Sequence, residues 1–306
     1  MTWLQSTRRA PLFGAAALTA LLAVLALSVE VRGRRAEAKV LRIGSSGSLA
    51  AEKSKQREKA ALTSLKDFIR TETGMDDEIV QFKDWQELRH QLDDNKVQVG
   101  VFQGYEFAWA QEKDAALKPL AVAVDVNLYP VAYVVTRRDD AVKDFAGLKG
   151  NTLAMDAEGP RFLKLYVDRQ CQANGAKTEA FFTKVLPEDN AEDVLDAVVD
   201  GKAQAAVAEQ AALEGYRRRK PGRFNQLKEV ARSQPFPPVV IAYRDKGLDE
   251  ATLTKFRDGL LKANQTDRGQ QMLTLFRLTG FQAVPNDFPQ ALARTRKDYP
   301  PEGAGQ

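Results

Sequence analysis

Residues 193–207 read Asp193-Val194-Leu195-Asp196-Ala197-Val198-Val199-Asp200-Gly201-Lys202-Ala203-Gln204-Ala205-Ala206-Val207. Val194, Leu195, Val198 and Val199 recur at helical spacing and define one apolar face. Gly201 stops the helix, since glycine enters without steric cost the left-handed conformation in which helices end. Ala205-Ala206-Val207-Ala208 then forms a short, wholly apolar strand with Glu209 at its carboxyl end. A helix feeding an apolar strand through a glycine turn is a unit of an α/β fold with a buried sheet.

The alternation continues in both directions. Upstream, Asn151-Thr152-Leu153-Ala154-Met155 reads as a strand. The turn Asp156-Ala157-Glu158-Gly159-Pro160 follows, then a helix carrying Phe162, Leu163, Tyr166 and Val167. Earlier still, Val40-Leu41-Arg42-Ile43 is a strand that runs into Gly44-Ser45-Ser46-Gly47-Ser48. Leu62, Leu65, Phe68 and Ile69 mark the next helix, which Gly74 ends. Strands at 78–82 and 97–102 flank a helix with Trp85, Leu88 and Leu92 on one face, and two more strands lie at 120–124 and 131–135. Downstream, Arg217-Arg218-Arg219-Lys220-Pro221-Gly222 reads as a charged, exposed turn. Gln234-Pro235-Phe236-Pro237-Pro238 is a proline-rich crossing into a strand at 239–243. Helices at about 249–263 and 267–278 follow, and the residues after Pro285 carry little pattern.

Composition narrows the chemistry. The 306 residues are 44% hydrophobic and 28% charged, a globular composition long enough for two domains or two lobes. A single Cys and a single His leave no internal disulfide and no Cys/His zinc cluster. The net charge of +4 is concentrated at the start, where residues 1–38 hold five Arg against Glu30 and Glu37. The rest is close to neutral, without the basic surplus that a nucleic-acid binder uses to displace counterions.

That start reads as an export leader. Arg8 and Arg9 precede an uncharged run over residues 10–29, and Ala36-Glu37-Ala38 offers a small-x-small cleavage site before Lys39. The run is also long enough to span a bilayer, and Arg32, Arg34 and Arg35 separate it from that site. Two outcomes stay open, a cleaved signal peptide or an N-terminal membrane tether through residues 10–29. Both put the body in the periplasm or on the outer face of the membrane.

Candidate binding groups gather at the carboxyl ends of predicted strands, where open α/β sheets bind ligands. Ser45, Ser46 and Ser48 could cradle an oxyanion with their hydroxyls and backbone N–H groups, or simply form a turn. The segment lacks the Gly-Lys-Ser/Thr ending of a nucleotide-binding loop. In Gln103-Gly104-Tyr105-Glu106, glycine would admit a ligand to the backbone, and Tyr105 offers a ring and a hydroxyl or else packs in the core. Asp156, Glu158 and Arg161 bracket a helix start, where the carboxylates are expected to cap the helix themselves. Glu209 is either a ligand contact or a surface group. His90 reads as solvated and Cys171 as a buried apolar-type thiol. No nucleophile elbow, metal motif or acid–base pair emerges, so no catalytic residue, cofactor or metal is expected.

The order of these pieces resembles the substrate-binding proteins of phosphate, phosphite and phosphonate ABC transporters, within the type II periplasmic binding proteins. Residues 193–207 are similar to the family's helix-Gly-strand run at the floor of the cleft. Ala231-Arg232-Ser233-Gln234-Pro235-Phe236-Pro237 is similar to its Ser-x-Pro-x-Pro return, and the stretch from Val97 to Tyr105 to its first-lobe pocket loop. The resemblance spans about residues 40–285.

It implies an α/β, two-lobed fold with a ligand cleft between the lobes. The first lobe would be 39–128 with 238–285, the second 136–232, and 286–306 a C-terminal tail. It also implies reversible, non-catalytic capture of a small-molecule solute for an ABC transporter permease. Ser45, Ser46, Ser48, Gln103 and Tyr105 would hold the solute first, and Glu158, Arg161 and Glu209 would close over it. One feature departs from the family. Its Ser/Thr-rich second-lobe turn reads Asp156-Ala157-Glu158-Gly159-Pro160 here, with no hydroxyl for a phosphonate oxygen and with carboxylates that repel a dianion. Arg161 is expected to offset one of those charges. The alternative is a membrane-anchored sensory or scaffold protein that keeps the fold without transport.

Overall fold

The structure, a computed structural model, describes residues 40–47 and 55–301. The leader, its cleavage site, the tether 10–29 and Ser48 lie outside the described residues. The chain runs β1 (Leu41–Ser46), α1 (Lys55–Thr73), β2 (Asp77–Phe82), α2 (Trp85–Asp93), β3 (Val99–Phe102), α3 (Gly104–Lys113) and β4 (Leu117–Val124). It continues through β5 (Ala132–Arg137), β6 (Thr152–Asp156), α4 (Arg161–Ala173), the short α5 (Thr178–Phe181), β7 (Lys184–Glu188) and α6 (Ala191–Val199). Next come β8 (Ala205–Glu209), α7 (Gln210–Arg219), α8 (Pro221–Phe224) and β9 (Leu227–Arg232). The return comprises β10 (Val239–Arg244), α9 (Glu250–Lys262), α10 (Asp267–Leu275), β11 (Gly280–Gln282) and α11 (Phe288–Asp298).

Two sheets result, one per lobe. The first has the order β11-β4-β10-β3-β1-β2 and the second β7-β6-β8-β5-β9. In the first, β1 pairs parallel with β2 and β3, while β10 runs antiparallel between β3 and β4. In the second, β6 pairs parallel with β7 and β8, and β5 is antiparallel to β8 and β9. The parallel strands explain the apolar runs in the sequence, since helices cover both faces of such sheets. Local chemistry sets the helix limits. Asp84 accepts a hydrogen bond from the Glu87 N–H at 2.9 Å to start α2, and Asn190 caps α6. Gly74 and Gly201 take positive φ, +71° and +73°, where α1 and α6 end.

The chain crosses between lobes twice, at residues 125–131 and 233–238, and the two crossings are bonded side by side. Ser233 N–H donates to the Ala132 carbonyl at 2.8 Å, Ala132 N–H to Ser233 Oγ at 3.0 Å, and Phe236 N–H to the Pro130 carbonyl at 2.9 Å. Gly104 serves this junction. A Cβ there would lie 2.1 Å from the Pro237 carbonyl oxygen, so glycine admits a neighbouring backbone, where the sequence suggested a ligand.

Two segments differ from expectation. The stretch after Pro285 contains α11, whose Phe288, Ala291, Leu292 and Thr295 are buried. Phe288 packs on Phe107 with ring centres 6.1 Å apart, Trp109 Nε1 donates to the Tyr299 carbonyl at 2.7 Å, and Arg169 on α4 donates to the Pro300 carbonyl. The C-terminal segment thus touches α3 of the first lobe and α4 of the second. The basic run at 217–220 is the end of α7 and not a free turn. Arg219 and Lys220 pair with Glu192 at 2.8 Å each, and Lys220 and Arg223 with Asp196 at 2.6 Å each, pinning α7 and α8 to α6.

Candidate functional site

The carboxyl ends of β1, β3, β4, β6 and β8 meet between the lobes, which brings residues remote in sequence to one cleft. Its larger part, about 990 Å³, is lined by Gln103 and Asp125 from the first lobe and by Asp156, Glu158, Arg161 and Glu209 from the second. A smaller part, about 230 Å³, lies deeper, against Tyr105, Phe162, Pro237, Asp125 and Glu209.

Gln103, Glu158, Arg161 and Glu209 therefore lie on one cavity, and Tyr105 shares the deeper part with Gln103 and Glu209. Tyr105 is also a core ring, edge-on to Trp109 with centres 5.0 Å apart. Burial and the Glu106 carboxylate push its phenol pKa up. Ser45 and Ser46 do not line this cleft. Both are buried, and their hydroxyls are committed, Ser45 Oγ donating to the Gly47 carbonyl at 2.6 Å and Ser46 Oγ to Glu106.

Arg161 departs most from expectation. Its guanidinium does not offset Asp156 or Glu158. It reaches the first lobe, where Nη1 lies 3.0 Å from Glu106 Oε1 and Nη2 donates to the Ser46 carbonyl at 2.5 Å. Glu106 is 5% exposed and also accepts from the Gln103 N–H at 3.2 Å. Burial raises its pKa, against the pull of Arg161 and of the hydrogen bonds from Ser46 and Gln103. The acidic turn does not cap α4 either. The cap position is Pro160 without a side-chain bond, and Asp156 Oδ1 accepts from the Glu158 N–H at 3.0 Å.

The charged groups that line the cleft are mostly carboxylates, with Arg277 and the Glu192-paired Arg219 also on the lining. Burial, with Asp125 and Asp156 nearby, pushes the Glu209 carboxyl up to about 7. Asp125 is also raised by burial, with Arg277 pulling the other way. A negative field of this kind attracts a cation and opposes a dianion.

Glu106 and Asp125 complete the site that sequence reasoning left short. Glu106 carried a signal, a carboxylate inside the apolar run Tyr105-Glu106-Phe107-Ala108-Trp109-Ala110. A charge in such a run is buried only when paired. Asp125 carried none beyond standing at a strand end. Among the described residues, no group of His, Cys, Asp and Glu could hold a metal ion, and no helix is long and apolar enough to cross a membrane.

Comparison with known proteins places residues 48–287 in a family described as "ABC transporter, phosphonate, periplasmic substrate-binding protein". No curated protein matches the sequence. Among solved structures, the fold is similar to XAC2383 from Xanthomonas citri bound to chloride ion. Identity there is 18% over 85% of this chain and 97% of that one, with a TM-score of 0.62. PhnD1 from Prochlorococcus marinus in complex with methylphosphonate is similar at 11% identity over 85% and 98%, with a TM-score of 0.58. A binding protein component of an ABC phosphonate transporter from Pseudomonas aeruginosa gives 17% identity over 85% and 87%, with a TM-score of 0.54.

Proposed function

The chain belongs to the periplasmic substrate-binding proteins of phosphonate ABC transporters, and on that premise we propose that it captures a small cationic or neutral solute rather than a simple phosphonate. Capture is reversible and non-catalytic, by closure of the first lobe (39–128 and 238–285) on the second (136–232), and the closed form is handed to the permease. Gln103 and Tyr105 receive the solute, and Glu209, Asp125 and Glu158 face its positive or hydrogen-bond-donating groups.

One observation carries this reading. Arg161, the cation of the second-lobe turn, is bound to Glu106 and the Ser46 carbonyl, so the charges left facing the cleft are mostly carboxylates. Methylphosphonate, held by the Prochlorococcus protein, would have to displace that pairing or sit among carboxylates that outnumber the cleft's arginines. A melting screen of residues 39–306 against cationic, neutral and anionic solutes tests the reading, because a bound solute stabilises the folded protein. Shifts confined to phosphonates, phosphite or phosphate would overturn it.

The alternative, a membrane-anchored sensory or scaffold protein, is favoured by the same ion pair, because Arg161 and Glu106 join the lobes through protein groups alone. A screen with no stabilising solute, together with a protein in membrane pellets that still begins at Met1, would select it.

A further inference from the structure

The first lobe contains a second cavity, about 220 Å³, which lies between its sheet and helices α1, α9 and α10 and is open at one end. Ile43, Val101 and Ile241 form its floor, and Leu65, Phe256 and Leu260 form part of its roof. At one end it meets Ser45, Ser46 and Gln103, at the carboxyl ends of β1 and β3, and Arg161 from the start of α4. Gln103, Ala123, Val239 and Leu278 line both this cavity and the deeper part of the cleft, so the two are neighbours across one row of side chains.

Three of the four polar groups at the mouth are engaged with other protein groups, and Gln103 is the fourth. Ser45 donates to the Gly47 carbonyl, Ser46 to Glu106, and Arg161 to Glu106 and the Ser46 carbonyl. A buried water needs two to four polar partners, and away from the mouth the described lining residues are aliphatic and aromatic. An unfilled apolar space of this size forfeits the dispersion contacts of every side chain around it. Apolar cavities of about 150 Å³ are known to hold benzene.

We propose that this cavity is a binding site for an unbranched hydrocarbon tail, on the order of six carbons by comparison with the benzene-sized case. The solute is then amphipathic, with its tail in the first lobe and its polar head in the cleft. The identity of the head rests on the reading given above, whereas the tail site stands on the cavity alone.

Calorimetric titration of the protein with neutral 1-alkanols from butanol to decanol tests the tail site. Neutral probes keep the outcome independent of the cleft carboxylates, and a failed cation preference would show separately in Glu209→Gln. Affinity is expected to rise about fourfold per added methylene until the cavity is full, and then to level off. Val101→Phe fills the cavity and should abolish that rise. Leu260→Ala enlarges it and should move the plateau to longer alkanols, which keeps the test open if the bulkier variant fails to fold. An affinity independent of chain length, or a rise that persists unchanged in folded Val101→Phe, would overturn the proposal.

Discussion

Arg161 of the second lobe and Glu106 of the first form an ion pair at 3.0 Å, with the carboxylate buried and the guanidinium half-exposed. The two residues stand 55 positions apart, at the amino-terminal ends of α4 and α3. Their pairing joins the lobes across the mouth of the cleft. Arg161→Ala would leave a buried carboxylate facing only Ser46 and Gln103. Removing one partner of a fully buried pair costs roughly 3–5 kcal/mol, but solvent already screens this guanidinium, so a loss of about 1–3 kcal/mol is expected. Urea denaturation measures that loss. Small-angle scattering of the same variant, without solute, should show a larger radius of gyration. An unchanged radius would mean that the pair does not hold the lobes together.

Glu209 gives a pH dependence with a definite sign. Its carboxyl is raised from an ordinary 4.5 to about 7, so the folded state holds that proton more tightly than the unfolded state. The resulting stability is present in full below about 4.5 and is lost as pH rises through 7. Glu209→Gln should therefore be more stable than the parent at pH 8, by up to on the order of 3 kcal/mol, and little different at pH 4.5. Urea midpoints across that range test this, and an equal effect at both ends would contradict it.

The same group couples binding to protons. A cation placed beside Glu209 lowers its pKa, so binding near pH 6.5 releases a proton and strengthens as pH rises to 8. Calorimetry in buffers of different ionisation enthalpy reads the proton directly. Binding with no proton release would place the cation away from Glu209.

Gly104 tests the junction of the lobes. With a Cβ only 2.1 Å from the Pro237 carbonyl oxygen, Gly104→Ala must push α3 or the crossing segment aside. The expected cost is at least about 1–3 kcal/mol, the usual range for overpacking. Gly222→Ala is the control, because nothing lies within 4 Å of a Cβ there, and it should change the melting temperature little.

The alternation of strands and helices was legible because parallel strands and amphipathic helices leave unlike periods, as the residues from Val194 to Ala208 illustrate. α11 was not. Its Phe288, Ala291 and Leu292 have helical spacing, but Pro285 and Pro289 read as breaks, and proline in the first turn of a helix suits a helix start. The site was half legible. Strand-end position found Gln103, Glu158, Arg161 and Glu209, but it could not tell that Arg161 would turn to Glu106. A long side chain's direction depends on tertiary neighbours that spacing does not encode. Ser45 and Ser46 misled for a related reason, since their hydroxyls serve the turn and Glu106.

The central claim is that the carboxylates of the cleft, with Arg161 engaged elsewhere, disfavour the family's phosphonate anions. Calorimetry at pH 8, where Glu209 is ionised as well, with methylphosphonate, phosphite and phosphate tests it most directly. The account predicts no binding tighter than about millimolar for any of the three, near −4 kcal/mol. Micromolar or tighter binding of any of the three would contradict it.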